Sequence, residues 1–484
     1  MLFSINKNSQ TSIQEQLRNT IVAAILNGQL KGGVRLPSTR RLSSDLSVSR
    51  TTVVLVYEKL VEDGFLISAN RSSFRVREGL PGVSRGGLIQ EGGSEKTSLD
   101  WQSRFKKKPG QQSNIVKPAN WQDYKYPFVY GQPDPVLFPL AAWRECSRQA
   151  MSELAMREWT TDAFAQDDPQ LVNEIRTKLL PKRGIYADES EILITSGAQN
   201  ALFLIAAQLM ARGTVVGVED PGYPDARNIF SIQGAELVPI PLDRDGACLS
   251  GKANACDYLF LTPSHHSPTN IRMSEERKTA FLKMASLHDQ IIIEDDYESD
   301  IHSQNNPSLA LKALDQTARV IYVGSLSKSI FPGLRLGYIV ADRVLISELR
   351  AFRRLMLRHA PSNNQRTTSL FIALGYHDTY IRKLHRIYKE RREIMKDCLD
   401  KDLPGLCRIP DAGGTSFWMQ GDDVMDAENL ARRALEKEVV IEPGHLHFFE
   451  PEKNRNFFRL GFSSIDGARI PDGIRAIASL MPTE

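Results

Sequence analysis

No run of about 18 apolar residues occurs in the 484-residue chain, so no segment reads as a helix able to span a bilayer. The opening Met1-Leu-Phe-Ser-Ile-Asn-Lys lacks the apolar core of a secretory signal, and a cytoplasmic protein with no membrane partner is expected. Cysteine is scarce: Cys146, Cys248, Cys256, Cys398 and Cys407 are odd in number and show no C-x-x-C spacing. That excludes a disulfide framework and argues against structural zinc or any other metal site. No internal repeat is visible. Charge of one sign is nearly balanced, with a net charge of +3. Hydrophobic residues make up 41% and charged residues 25%, the balance of an ordinary soluble protein. Single hydrophobic cores stop growing near ~250–300 residues, so a chain of this length implies at least two domains.

The charge is unevenly spread. Residues 1–80 carry 11 Lys/Arg against 6 Asp/Glu, an excess suited to an anionic partner. Charge alone fits a solvated basic face equally well, so the pattern must decide. Apolar residues recur at helical spacing from Ser12 to Leu30 (Ile13, Leu17, Ile21, Ile25), and Gly32-Gly33 stops that helix. Ser38 is a natural N-cap for a second helix running to Asp45, and Leu46-Ser47-Val48 turns the chain. Ser49 caps a third helix reaching Asp63, which Gly64 ends. Phe65-Leu-Ile-Ser and Ser73-Phe-Arg-Val then read as two strands of a wing around Ala69-Asn70-Arg71-Ser72.

A short helix, a turn and a second helix opening Ser49-Arg50-Thr51-Thr52 match the helix-turn-helix plan, in which the start of the recognition helix faces base edges. Arg50 is suited to a bidentate pair with guanine, and Arg35, Ser38, Thr39 and Arg40 to phosphate. A three-helix interaction module without DNA fits the charge as well. The order Leu36-Pro-Ser-Thr-Arg, Leu42, Ser49-Arg-Thr-Thr-Val and Glu58-Lys-Leu-Val-Glu-Asp-Gly resembles the winged helix of GntR-type regulators, which implies double-stranded DNA as partner. Those wings usually carry glycine at the tip. This one has Asn70-Arg71-Ser72-Ser73, where Arg71 is suited to a minor groove.

From about Pro81 to Trp121-Gln122 the composition shifts to Gly, Ser, Gln and Lys, and 81–122 reads as a flexible linker in which Trp101 and Phe105 are candidates for docking on a neighbour. Beyond it, over 123–484, helical patterns alternate with short apolar strands at Thr214-Val-Val-Gly-Val, Glu236-Leu-Val-Pro-Ile, Tyr258-Leu-Phe-Leu, Ile291-Ile-Ile and Val320-Ile-Tyr-Val. This predicts an α/β domain with a mainly parallel sheet, followed from Leu345 by a smaller, helix-rich lobe with a late strand at Phe457-Phe-Arg-Leu-Gly-Phe. Ligands of such sheets bind outside the carboxyl ends of the strands.

Polar clusters stand at those ends. Lys328, in Gly324-Ser-Leu-Ser-Lys, follows a strand and is placed to form a Schiff base with an aldehyde cofactor, while Ser325, Ser327 and Arg335 suit its dianionic phosphate. Asp295 ends another strand, as the carboxylate a pyridine ring nitrogen requires, with Tyr297 beside it for the ring hydroxyl. Gly197, Ala198 and Gln199 open a helix whose free N–H groups favour phosphate, and Tyr223 offers a ring to stack on the pyridine face. Each cluster alone has an ordinary structural explanation; their joint occurrence in this order does not.

The segment from about Tyr124 onward resembles a fold-type-I, aspartate-aminotransferase-like domain, and with the N-terminal module the chain resembles the MocR subfamily of GntR regulators. The resemblance implies that pyridoxal 5′-phosphate sits on Lys328 as an internal aldimine and that Asp295, Tyr297 and Arg335 hold its ring nitrogen, ring oxygen and phosphate. It also implies that Arg459 receives the carboxylate of an amine or amino-acid effector, and that the chain forms a homodimer reading paired half-sites. Two departures stand out: Ser267-Pro-Thr-Asn270 where transaminases have Asn-Pro-Thr-Gly, and Phe164-Ala-Gln-Asp-Asp-Pro where the family has Tyr-Gly-Asp-Pro-x-Gly. The expected function is effector sensing through an external aldimine that alters DNA binding. A working aminotransferase with a regulatory module is the alternative, and a DNA-binding protein with a dead, cofactor-free domain is disfavoured by the intact Lys-Asp-Tyr-Arg set.

Overall fold

The computed structural model of the chain describes residues 5, 6, 9, 11–68, 73–79, 99–160, 162, 164–298, 309–408 and 413–481. They fall into two units, Met1–Arg104 and Phe105–Glu484.

In the first unit three helices, α1 (Ile13–Leu26), α2 (Thr39–Leu46) and α3 (Arg50–Glu62), precede an antiparallel pair, β1 (Leu66–Ser68) and β2 (Phe74–Val76). Serine starts each helix: the side chains of Ser12, Ser38 and Ser49 accept the N–H groups of Glu15, Arg41 and Thr52. Helix α1 stops at Leu26, earlier than expected, because Gly28 takes φ +74 and Leu30 N–H turns back to Ala24 O. Leu17, Ile21, Ile25, Val53, Val56, Leu60 and Val76 are buried together. Each such side chain contributes about 1.5–3 kcal/mol by leaving water. The wing tip, with Arg71, lies outside the described residues.

The second unit is built on an eight-stranded sheet. After β3 (Tyr126–Pro127), which lies outside that sheet, its strands in chain order are β4 (Ile192–Thr195), β5 (Val215–Asp220), β6 (Glu236–Asp243), β7 (Gly246–Ala247), β8 (Tyr258–Leu261), β9 (Ile291–Asp296), β10 (Val320–Ser325) and β11 (Gly337–Val340). In space the order is β4-β11-β10-β9-β8-β5-β6-β7. From β10 through β9, β8 and β5 to β6 all neighbours are parallel, whereas β11 runs against both β10 and β4. The carboxyl ends of β4, β5, β8, β9 and β10 therefore open on one edge. Strands β4 and β11 were not legible in the sequence, since four-residue runs that are buried throughout carry no alternation.

A smaller sheet, β12 (Cys407–Arg408), β13 (Ser416–Gln420), β15 (Glu442–Pro443) and β16 (Phe457–Gly461), is ordered β12-β13-β16-β15, while β14 (Val439–Val440) pairs with β3. The helices Arg343–Leu357, Ser362–Ala373 and Tyr376–Asp402 supply the helix-rich stretch expected after Leu345. Among the described residues no helix is long and apolar enough to cross a membrane, and no cluster of His, Cys, Asp and Glu is arranged to hold a metal.

The expected linker divides. Residues 105–122 pack on the second unit: Lys107 Nζ donates to Gln233, Gln112 Nε2 donates to Asn228 O at 2.9 Å, and Asn228 Nδ2 donates to Ser113 O at 2.9 Å. Trp121 is the aromatic that docks, buried with Val129 and Val440. Trp101 and Phe105 are 62% and 47% exposed and do not play that part.

Candidate functional site

Alternation along β9 decides which of three consecutive acids reaches the sheet's open edge. Glu294 accepts the N–H groups of Leu311 and Lys312, each at 2.8 Å, and Asp296 pairs with Arg183 at 2.8 Å and accepts Tyr322 OH. Both point to one face. Asp295 points to the other and lines a cavity of about 240 Å³. Its Oδ1 is buried and meets no hydrogen-bond donor. Burial, with Asp296 adding to it, pushes the Asp295 carboxyl up to about 7, against the pull of Lys328.

Lys328 lines the same cavity from the turn after β10, its Nζ donating to Gly131 O at 3.4 Å and lying 4.9 Å from the Tyr130 ring centroid. Burial holds this ammonium below the usual lysine range. Ala198, Gln199, Tyr223, Tyr297, Ser325, Ser327 and Arg335 complete the group that the sequence singled out. Gly197 stands just behind it. At φ +90 it caps the helix Ala198–Leu209, and a Cβ there would lie 3.2 Å from the Arg335 guanidinium. The helix N-terminus thus presents free N–H groups beside an arginine and two serines, a cradle for a dianion. Tyr223 OH donates to Asp225 at 3.0 Å, fixing its ring at the cavity wall.

Arg459 is not among the cavity-lining residues. It is buried on β16 with its guanidinium 3.6 Å from the centroid of Tyr130, the ring that also faces Lys328, and its Nη2 donates to Glu442 Oε1. Glu442 is its directly opposite cross-strand partner on β15.

In the N-terminal unit Arg35, Arg40, Arg50 and Thr51 are exposed, and Thr39 and Thr52 are half-buried. Arg50 opens α3 on its exposed side. Ser38 and Ser49, counted as ligand contacts from the sequence, spend an oxygen lone pair on their own helices; Ser49 also meets Thr52 Oγ1 at 2.8 Å.

Residues 139–477 match the family model for aminotransferase class I and II, and residues 13–76 that for bacterial regulatory proteins of the gntR family. The chain is 38% identical to the HTH-type transcriptional regulator TauR of Rhodobacter capsulatus, across 98% of both proteins. It is 30% identical to the probable rhizopine catabolism regulatory protein MocR of Rhizobium meliloti, over 98% of this chain and 95% of that one. The chain belongs to the MocR subfamily of GntR-type regulators. Among solved structures, the kynurenine aminotransferase of Pyrococcus horikoshii, in complex with PMP, superimposes on 79% of this MocR-type chain and 98% of its own, with a TM-score of 0.71 and 26% identity. The protein is thus a transcriptional regulator with an aminotransferase-like domain. Its cavity fits pyridoxal 5′-phosphate: Asp295 Oδ1 is a buried acceptor lacking the donor that a protonated ring nitrogen provides, in a cavity that Lys328, Ser325, Ser327 and Arg335 also line.

The two sequence departures have structural outcomes in this MocR-type regulator. Asn270 takes the left-handed conformation that glycine would, at φ +61, and its Nδ2 donates to Ser416 O at 2.7 Å, so the turn survives without glycine. Ser267, in the place of the family's asparagine, lines the cavity. In the Phe164 loop, Asp167 pairs with Arg350 at 2.7 Å and Arg353 at 2.5 Å, and Asp168 caps the helix Pro169–Glu174 while pairing with Arg366 at 2.7 Å. These aspartates anchor the loop to the helices behind it.

Sequence reasoning missed Tyr130, Gly131, Gln132 and Pro332, which also line the cavity. Tyr130-Gly131 lies at no strand end of the large sheet, and only the glycine that closes the apolar run 126–130 offered a signal.

Proposed function

We propose that this regulator holds pyridoxal 5′-phosphate on Lys328 and uses it to sense an amine or amino acid, the occupied site altering DNA binding by the winged helix. The observation that carries the reading is the partnerless, buried Asp295 carboxylate facing the same cavity as Lys328. When bound, the cofactor supplies an aldehyde carbon open to exchange between a lysine and a ligand amine, and an electron-withdrawing ring. The chain does the rest. Lys328, held below the usual lysine range, keeps a larger share of neutral, nucleophilic amine at neutral pH. Asp295 accepts from the ring nitrogen and Tyr297 meets the ring oxygen. The N–H groups of Ala198 and Gln199, with Ser325, Ser327 and Arg335, hold the phosphate, and Tyr223 covers the ring. Arg459 receives the ligand's acid group.

DNA is bound by Arg50 at base edges and by Arg35, Thr39 and Arg40 at phosphates, in a homodimer whose two winged helices gain effective concentration on paired half-sites. A ligand shifts such an equilibrium only by its differential affinity for the two states, and the release of Lys328 is a discrete change able to supply it.

The test is spectral titration of wild-type, Lys328→Ala and Arg459→Ala proteins with a panel of amino acids, beside DNA binding by the same samples. Lys328→Ala should bind DNA without responding to ligand. Arg459→Ala should keep the lysine-bound cofactor spectrum while losing roughly 2–5 kcal/mol of affinity for the amino acid. A ligand response intact in Lys328→Ala would overturn the reading. The family fold also supports a working aminotransferase, since the lysine, aspartate, tyrosine and arginine share one cavity; steady-state transamination by the full chain separates the two.

A further inference from the structure

We propose that Glu442 is an internal surrogate for the ligand's acid group: it occupies Arg459 in the ligand-free protein and yields it to the carboxylate of an incoming amino acid. This rests on the reading of Arg459 given above. Arg459 is 3% exposed, and its surroundings are incomplete in one respect. Tyr130 covers the face of the guanidinium and Glu442 Oε1 takes Nη2, but Nε is buried with no acceptor. Nε and Nη2 form the side edge of the guanidinium fork, the edge on which a carboxylate sits with two parallel hydrogen bonds. A ligand carboxylate seated there would satisfy Nε, and it would meet the Glu442 carboxylate already on Nη2. Nη2 has a second N–H to offer, but one buried guanidinium cannot balance two adjacent carboxylates, and the uncompensated charge drives Glu442 off.

A second partner is waiting. His447 Nε2 lies 3.3 Å from Glu442 Oε1, and His447 Nδ1 is 2.9 Å from Gly222 O. A carbonyl can only accept, so Nδ1 carries the ring hydrogen, and burial holds His447 below its usual range. The neutral ring then offers Nε2 as an acceptor, which a protonated Glu442 carboxyl satisfies by donating its O–H. Burial alone would raise the Glu442 carboxyl, and Arg459 is the strongest influence opposing it, holding it down at about 2. Once the ligand takes the arginine, burial dominates and the carboxyl gains a proton. The other charges near Glu442 are the ammonium groups of Lys117, from the docked segment 105–122, and Lys328. Lys117 is unchanged by the exchange, whereas Lys328 is tied to the cofactor before it and freed after it, in wild type and Glu442→Gln alike. The site thus trades one carboxylate for another and takes up a proton. A simple carboxylic acid gains too little from Arg459 alone to displace Glu442, so the device selects molecules that bear both an amine for the cofactor and an acid for the arginine.

The experiment compares L-alanine and β-alanine with ethylamine, the amine that either becomes without its carboxylate. Full-length, cofactor-loaded wild-type and Glu442→Gln proteins are titrated by visible absorbance, and by calorimetry in two buffers of different ionisation enthalpy. Glu442→Gln keeps the shape and the hydrogen-bonding atoms but removes the competing charge. It should tighten both amino acids by roughly ten-fold or more and leave ethylamine within about two-fold. Wild type should take up about one proton more than Glu442→Gln on binding an amino acid. His447→Leu, which removes the fallback acceptor while leaving Glu442 in place, should weaken the amino acids and spare ethylamine. Amino acids bound no more tightly by Glu442→Gln, with ethylamine unchanged, would make Glu442 a fixed wall and overturn the proposal. If instead Arg459→Ala keeps the wild-type preference for amino acids over ethylamine, the reading of Arg459 itself fails.

Discussion

A Cβ placed on Gly131 would lie 2.0 Å from the Nζ of Lys328. Glycine is favoured there by a backbone φ of +67, and it leaves room for the end of the lysine side chain. Gly131→Ala must either push Lys328 off its position or move the 130–132 loop. The expected result is a folded protein, destabilised by about 1–2 kcal/mol from the left-handed backbone, that no longer attaches the cofactor to lysine. Borohydride reduction followed by peptide mapping reads it directly: wild type should carry the label on the Lys328 peptide and Gly131→Ala should not. A label on any other lysine in wild type would reject Lys328.

Asp295 predicts a pH dependence. Its folded-state carboxyl, near 7, lies above the unfolded value near 3.9, so the folded cofactor-free protein binds the extra proton between those limits. Its contribution to stability is fully present below about pH 4 and is lost as pH rises through about 7, a few kcal/mol at most. Urea unfolding of the cofactor-free protein at a series of pH values should show this decline, and Asp295→Asn should flatten it. Adding pyridoxal 5′-phosphate should recover stability at neutral pH in wild type more than in Asp295→Asn, because the protonated ring nitrogen pairs with the ionised carboxylate. Identical pH profiles for the two cofactor-free proteins would remove Asp295 from the buried, partnerless position described above.

Arg50 and Arg35 should differ in kind. Arg50→Ala is expected to cost about 1–3 kcal/mol on a specific operator and to relax discrimination at one base pair, whereas Arg35→Ala should weaken all sequences alike and lower the salt dependence by about one ion. Binding to operator and random duplexes across a salt series separates them. Equal losses on both duplexes for Arg50→Ala would take it out of the base-reading set.

Ser49 caps α3 before it can contact anything else, through Thr52 N–H at 3.0 Å. Ser49→Ala should lower the stability of the winged helix by about 1 kcal/mol. Ser49→Asp should restore the cap, yet bring a negative charge to the end of the helix that faces DNA. Thermal unfolding of the full chain, read from its lower transition, and DNA binding should therefore move in opposite directions for Ser49→Asp. A variant that regains both stability and binding would place Ser49 away from the phosphates.

What the sequence determined by itself was local and chemical. Serine caps, helical apolar spacing and the Ser-Arg-Thr-Thr opening make the three helices of the first unit a matter of short-range physics, and the strand-then-polar-cluster order placed Lys328, Asp295, Tyr223 and the Gly197 turn on one edge of a parallel sheet. Only the folded chain could decide matters that depend on which face a residue meets or which distant segment arrives beside it. That Asp295 lines the cavity while Glu294 and Asp296 turn to partners on the other face was decided by the pleat. The docking of residues 105–122 turned on Asn228, more than a hundred positions away, because the polar composition that reads as a linker serves equally well to bind a surface. Arg459 was legible as a buried arginine in a strand, but its pairing with Glu442 was not. Cross-strand register sets that pair opposite each other, and no local pattern records which strand will lie alongside.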